Sequence, residues 1–371
     1  MDRRTQVLDD ETLAWLGLAV IPELSPRLAF ALIERFGSAC AVLAARAEDL
    51  AAAGVAPSVV PAIINDAAER GGTEWAAIGR ARATFVTPRD ASYPASLRQI
   101  PDPPLTLAVR GRLAGADEPA VAIVGTRRAT EYGRRMAQEL ARGLAQAGVT
   151  VVSGLAAGID GVAHRAALEA GGRTMAVLGT GIDRVYPAWH AELADAVAAN
   201  GALVSEFPCG AAPLAFHFPR RNRLISGLSL GTIVVEAAEQ SGSLITAAFA
   251  LEQNRQVYAV PGPVGVSGHR GPNRLIQQGA RLVTCTEEIL EDLAPGLRPR
   301  LVERRAAAAE ATLTTPERRI LEAIGADGRH VDDVIRHAAV PAGAALETLL
   351  ALELRGLVHQ LPGKRFCRRA A

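Results

Sequence analysis

The sequence is short of aromatic residues, net charge, paired cysteines and long apolar runs, and each shortage removes a class of protein. Aromatic residues make up 4% of the 371-residue chain, which limits how many flat ligands side chains could stack upon. Lys and Arg number 40 against 39 Asp and Glu, so overall charge implies no polyanionic partner. Any such partner must be met by local clusters of charge. The four cysteines, Cys40, Cys209, Cys285 and Cys367, lie far apart with no C-x-x-C. That spacing argues against a disulfide scaffold and a zinc site, and it suits a reducing cytoplasm. The opening MDRRTQVLDDETLAW holds no apolar segment of signal-peptide type. The apolar stretches elsewhere are broken by Gly, Arg or Asp before they reach membrane length.

Several chemical signatures are missing as well. G-x-x-x-x-G-K-[ST] does not occur, which removes a P-loop ATPase. The Gly-x-Gly of GTGIDR has no third glycine and does not open the first strand–helix unit, so a dinucleotide cofactor has little support. No G-x-S-x-G marks a nucleophile. The isolated histidines His164, His217 and His269 read as surface or capping residues. No catalytic residue, metal ligand or cofactor is expected.

What remains is ample apolar material, 49% of the chain against 21% charged, enough to fold throughout. Residues 1–75 carry apolar residues at helical spacing in ETLAWLGLA and RLAFALIERFG, with no strand-like alternation. They read as a small helical domain, SAM-like or helix-hairpin-helix-like, or as a helical prefix packed on the core. Residues 85–293 alternate strand and helix. The strand candidates are 106–111, 120–125, 149–154, 173–179, 202–207, 231–237, 256–262 and 280–284. Apolar strands alternating with helices specify an α/β fold, a doubly wound Rossmann-like parallel sheet covered on both faces. Residues 294–313 read as a linker. Residues 314–371 begin with a Thr cap followed by Pro and Glu. They continue as three helices and a hairpin around Pro-Gly, the pattern of a winged helix. Its third helix, PAGAALETLLALELRG, has Arg355 as its one basic residue beside Glu347 and Glu353. It should therefore not be the main nucleic-acid site, and it suits contact with a protein.

Ligands of an open parallel sheet bind beyond the carboxyl ends of its strands. There the sequence places Gly125-Thr126-Arg127-Arg128, then Gly154 and Gly158, then Gly181, Arg184 and Tyr186, then Arg220-Arg221-Asn222-Arg223, then Ser241-Gly242-Ser243. Glycines and small hydroxyls at helix starts leave backbone N–H groups free for anions. Arginine adds charge-assisted donors matched to phosphate. Cations at the start of a helix oppose its dipole, and that misplacement points to function for residues 220–223. Asp160 could cap a helix or meet the ligand. Glu236 could partner one of the arginines. The expected ligand is a phosphate-bearing chain or nucleotide.

These motifs together resemble the DNA-processing protein A (DprA/Smf) family. The matching stretches are VAIVGTRRATEYG (121–133), SGLAAGIDGVAH (153–164), VLGTGIDRVYP (177–187), SEFPCGAAPLAFHFPRRNRLISGLS (205–229), VVEAAEQSGSLITAAFALEQNRQVYAVPG (234–262) and GPNRLIQQGA (271–280). The resemblance implies a cytoplasmic homodimer that binds single-stranded DNA and loads RecA recombinase onto it in natural transformation and recombination. It implies no enzyme and no membrane. It implies a strand pocket of Thr126, Arg127, Gly181, Tyr186, Arg220, Arg221, Asn222 and Arg223, with Ser241, Gly242 and Ser243 nearby and Arg184 as the basic residue after GTGID. A groove of amides and arginines would follow the phosphates while Tyr186 stacks a base. The alternative is a Rossmann-type nucleoside-monophosphate phosphoribohydrolase. Its Pro-Gly-Gly-x-Gly-Thr loop is replaced here by Ser241-Gly242-Ser243-Leu244-Ile245-Thr246.

Overall fold

The computed structural model describes residues 9–114, 119–297, 299, 301, 313–325, 328–355 and 357–368. Most of the expected linker lies outside the described residues. One compact unit runs to Leu293 and a second begins at Ala294.

The prefix folds as α1 (Asp10–Ala19), α2 (Pro26–Phe36), α3 (Ala39–Leu43), α4 (Ala47–Ala52) and, after a π-helical turn at Ala62–Asp66, α5 (Ala67–Arg80). Its boundaries follow local chemistry. Ser25 caps α2 by accepting from Leu28 N–H at 3.2 Å, and Pro26 occupies the first turn. Trp15, Leu18, Leu32, Leu50 and Ile63 form its core. A second face packs on the sheet, with Leu16 and Ile78 joining Phe85, Ala176 and Leu178 in one buried cluster.

The sheet has nine strands: β1 (Thr84–Val86), β2 (Leu107–Gly111), β3 (Ala120–Val124), β4 (Thr150–Ser153), β5 (Thr174–Val177), β6 (Ala202–Ser205), β7 (Gly231–Val234), β8 (Gln256–Ala259) and β9 (Arg281–Leu282). Their order is β1-β2-β6-β5-β4-β3-β7-β8-β9. The intervening helices are α6 (Ala95–Arg98), α7 (Glu131–Gln146), α8 (Ile159–Glu169), α9 (Ala191–Asn200), α10 (His217–Gly227), α11 (Gly242–Glu252), α12 (Ser267–Gln277) and α13 (Thr286–Leu293). Strands β3 to β9 pair in parallel. The central strands β3 to β7 are buried along their whole length, which is why they read as continuous apolar runs. In α7, Thr130 caps the first turn, and Met136, Leu140 and Leu144 form the buried stripe.

Two features depart from expectation. The segment 106–111 does form a strand, but β2 runs antiparallel to β6, one strand in from the sheet edge. Among the described residues no crossover helix lies between β2 and β3, and a parallel return needs one. The unforeseen β1 pairs antiparallel with β2. It has three residues, too few to show a period.

The second unit holds α14 (Thr315–Ile324), α15 (Val331–Ala338), α16 (Ala342–Leu354) and a small sheet of β10 (Arg329–His330), β11 (Val358–Leu361) and β12 (Arg365–Arg368). Thr314 and Glu317 close a capping box at the start of α14. Three helices with a three-stranded sheet make a winged helix. Arg355, the basic residue of the third helix, is engaged by Glu317 at 3.2 Å.

His164 is not the surface residue expected. It is wholly buried in α8, and its Nδ1 lies 2.7 Å from Thr174 Oγ1. That hydroxyl donates its one proton to Val151 O at 2.7 Å, so Nδ1 carries the hydrogen of a neutral ring. Burial lowers its pKa to about 3 from an ordinary 6.5. The unfolded chain therefore binds the extra proton between those values, and the native state does not. Stability from this site is complete above about pH 6.5 and falls by about 1.4 kcal/mol per pH unit as the medium is acidified towards pH 3. His164→Gln should flatten the pH dependence of urea unfolding in that window. An unchanged slope would contradict the assignment.

Candidate nucleic-acid interface

Strands β3, β4, β5 and β6 progress one way across the sheet, and β7 returns to the other side of β3. The winding direction reverses between β3 and β7, and crevices open at such points. A cavity of about 440 Å³ lies there. Its wall takes Gly125 to Arg128 from the end of β3, Ala156 from the β4–α8 loop, Asp160 from the first turn of α8, Phe218, Pro219, Arg221, Asn222 and Ile225 from α10, and Gln240 to Ser243 from the start of α11. Of the helices that begin on this side of the sheet, α8, α10 and α11 place first-turn residues in the wall, and the dipole of a helix start favours an anion. Ser241 caps α11, accepting from Ser243 N–H at 3.4 Å.

The sequence candidates fall into three groups. Gly125, Thr126, Arg127, Arg128, Arg221, Asn222, Ser241, Gly242 and Ser243 all line the cavity. Two glycines shape it from behind. Gly158 has φ +78°, and a Cβ there would stand 2.3 Å from Thr126 O. A Cβ on Gly154 would stand 2.7 Å from the Arg221 guanidinium. The remaining candidates, Gly181, Arg184, Tyr186, Arg220 and Arg223, are not part of this wall. Gly181 is buried and donates its N–H to Ala211 O at 3.2 Å, joining the loops after β5 and β6. Arg184 is exposed on the first of those loops. Tyr186 stands beside the cavity, its ring 5.6 Å from Phe218.

Arg220 and Arg223 lie three residues apart on one face of α10 and both meet Glu206, while Arg221 faces elsewhere. Arg220 is half exposed and 3.7 Å from Glu206. Arg223 is buried, paired with Glu206 and 3.1 Å from Asp102. It is a structural ion pair and not a wall residue. Arg221 is 4% exposed. It donates to Gly154 O at 2.8 Å and to Val177 O, and through Nε to Asn222 Oδ1 at 3.2 Å. Burial lowers its pKa to about 10, which leaves it charged at neutral pH.

Asp160 neither caps α8 nor stands free to take a ligand. Gly158 is the residue at the cap, and the Asp160 carboxylate accepts from Gly154 N–H at 3.1 Å and Ala156 N–H at 3.3 Å. Burial raises its pKa, and the charge of Arg221 pulls the other way. Glu236 partners no arginine among the described residues. It accepts from Thr130 N–H at 2.9 Å and from the Thr130 hydroxyl, and it lies 3.6 Å from His269 Nε2. Phe218 was missed as a functional residue. Its ring lies under the guanidiniums of Arg127 at 5.2 Å and Arg221 at 5.8 Å, a cation–π arrangement that holds Arg127 at the cavity. The F-P ahead of RRNR was the signal available.

A family model described as DNA recombination-mediator protein A matches residues 84–294, and one described as the DprA winged helix domain matches residues 304–364. Protein Smf of Escherichia coli (strain K12) is 47% identical over 277 residues, spanning 73% of this chain and 74% of that protein. DNA processing protein DprA of Bacillus subtilis is 46% identical over 202 residues, 54% of this chain and 68% of that protein. The X-ray structure of DNA processing protein A from Streptococcus pneumoniae has a TM-score of 0.68 at 34% identity, covering 77% of this chain and 98% of that one. DNA processing protein A from Helicobacter pylori, in a structure describing its single-stranded DNA binding mode, has a TM-score of 0.53 at 29% identity, covering 58% and 98%. The phosphoribohydrolase alternative is not favoured by these matches.

Arg221→Ala should act on stability before it acts on any ligand. It would leave Asp160 buried without its cation and strip partners from two buried carbonyls, a loss of about 3 kcal/mol or more. Thermal unfolding should show a clear drop in Tm, while Arg128→Ala, at an exposed position, should melt with the wild type. Equal melting of the two variants would contradict the structural role of Arg221.

Proposed function

Because the chain belongs to the DNA recombination-mediator protein A family, we propose that it binds single-stranded DNA at the carboxyl ends of β3, β4 and β7 and mediates recombination. The observation that carries this reading is the convergence of the starts of α8, α10 and α11 with Arg127 and Arg128 on one cavity at the switch point. Such a wall offers amides and guanidiniums to phosphate oxygens and no donor pattern that would select a base. Affinity is then mainly electrostatic and largely independent of sequence.

In this reading residues 85–293 hold the strand. The prefix (1–75) and the winged helix (314–371) flank it, and the third helix of the winged helix is too poor in free basic residues to carry the main contact. The protein acts as a cytoplasmic homodimer that passes the coated strand to RecA recombinase in transformation and recombination. It performs no chemical step. No helix among the described residues is long and apolar enough to cross a membrane. Gly154 and Gly158 serve the site through the shape of the β4–α8 loop, and Arg220, Arg184 and Tyr186 extend it at one side.

The test is fluorescence anisotropy with a labelled oligo-dT over a salt series. Arg127→Ala should weaken binding about tenfold, near 1.4 kcal/mol, and make the slope of log affinity on log salt shallower by about 0.7. Wild-type affinity and slope in that variant would move the site elsewhere.

A further inference from the structure

All fifteen aromatic residues lie among the described residues, and three of them are exposed: Trp189 at 76%, Phe216 at 66% and Tyr186 at 42%. They are not scattered. Tyr186 and Trp189 sit on the loop after β5, and Phe216 ends the loop after β6, both on the side of the sheet where the cavity opens. The rest of the chain withdraws its aromatic rings from water, so leaving three uncovered on two neighbouring loops at one side of the sheet calls for a ligand with flat apolar faces.

The rings are held in place. Trp189 stands edge-on to His190 at 6.4 Å, and His190 Nδ1 is 2.9 Å from Leu155 O in the loop beside the cavity. Phe216 stands edge-on to His217 at 4.6 Å, and His217 is stacked on Phe207 at 4.2 Å. The two loops are joined. Gly210 N–H donates to the Asp183 carboxylate at 2.9 Å, and Ser205 Oγ donates to Thr180 O at 2.6 Å. Arg184 is exposed two residues before Tyr186, and the Arg220 guanidinium lies over the Phe207 ring at 5.7 Å.

We propose that Trp189 and Phe216 form a base-stacking shelf that continues the phosphate cavity past Tyr186, so that a bound single strand leaves the cavity with its bases laid on these rings. This rests on the proposed strand binding and adds a contact to the bases themselves. Stacking on such rings is tolerant of sequence, because every base has a π-face. It supplies affinity that salt does not screen, beside the arginine contacts that salt does. A chain with few aromatics can still stack bases when its exposed ones are gathered at the site.

Trp189 also provides the readout. Trp15 is buried and Trp75 is half-buried, so quenching of exposed tryptophan fluorescence reports on Trp189. The full chain is titrated with a twenty-residue oligo-dT and with an abasic strand of equal length. Oligo-dT should quench the fluorescence and the abasic strand should not. Trp189→Leu/Phe216→Leu should lose about fivefold or more in affinity for oligo-dT, with abasic binding and the salt slope unchanged. Unchanged affinity and no quenching, while Arg127→Ala still weakens binding, would overturn the shelf and leave the strand-binding reading standing. Equal losses on both strands would assign the rings a structural role and overturn it too. No binding of either strand by the wild type would overturn both.

Discussion

The guanidinium of Arg221 is a charge taken out of water at the point where three segments of chain meet. It joins α10 to the carbonyls at the ends of β4 and β5. Beside it, the Asp160 carboxylate gathers the amides of the β4–α8 loop. A buried ion is costly unless its hydrogen bonds are made and a counter-charge is near, and the surrounding groups meet both conditions. The loop in turn needs Gly154, since a Cβ would intrude on Arg221, and Gly158, whose φ and closeness to Thr126 exclude a side chain. The rear wall of the cavity is therefore fixed by one buried charge and the small residues it requires.

With that wall rigid, the front can be simple. The parallel sheet delivers loops and helix starts to one side, and the reversal between β3 and β7 leaves a gap there. Backbone amides, Arg127 and Arg128 face the gap. Phe218 lies beneath Arg127, so the exposed arginine is backed by a ring. Buried arginines set shape and exposed ones face solvent. The sequence motif FPRRNR contains both kinds.

The parallel core was legible in the sequence because strands buried on both faces must be apolar throughout. The helices were legible from their caps and stripes, as with Thr130 and the Met136, Leu140, Leu144 series. The direction of β2 was not legible, because apolar alternation carries no information on strand polarity. The arginines of α10 were visible as a cluster, but their separate roles depend on the phase of the helix against the sheet. Arg223 could not be told from Arg221 until Glu206 was seen beside it. The roles of Asp160 and Glu236 lay in partners up to 106 residues away in sequence. Trp189 and Phe216 occupy loops, where no periodicity reports exposure.

The central claim is that the strand lies against the loops after β3 and β7. Hydrogen–deuterium exchange of the full chain, with and without an oligo-dT twenty-mer, measures it directly. The account predicts slowed exchange in residues 125–130 and 240–246 on binding, with the winged helix at 315–368 unchanged. Slowing confined to 315–368, with 125–130 unaffected, would contradict it.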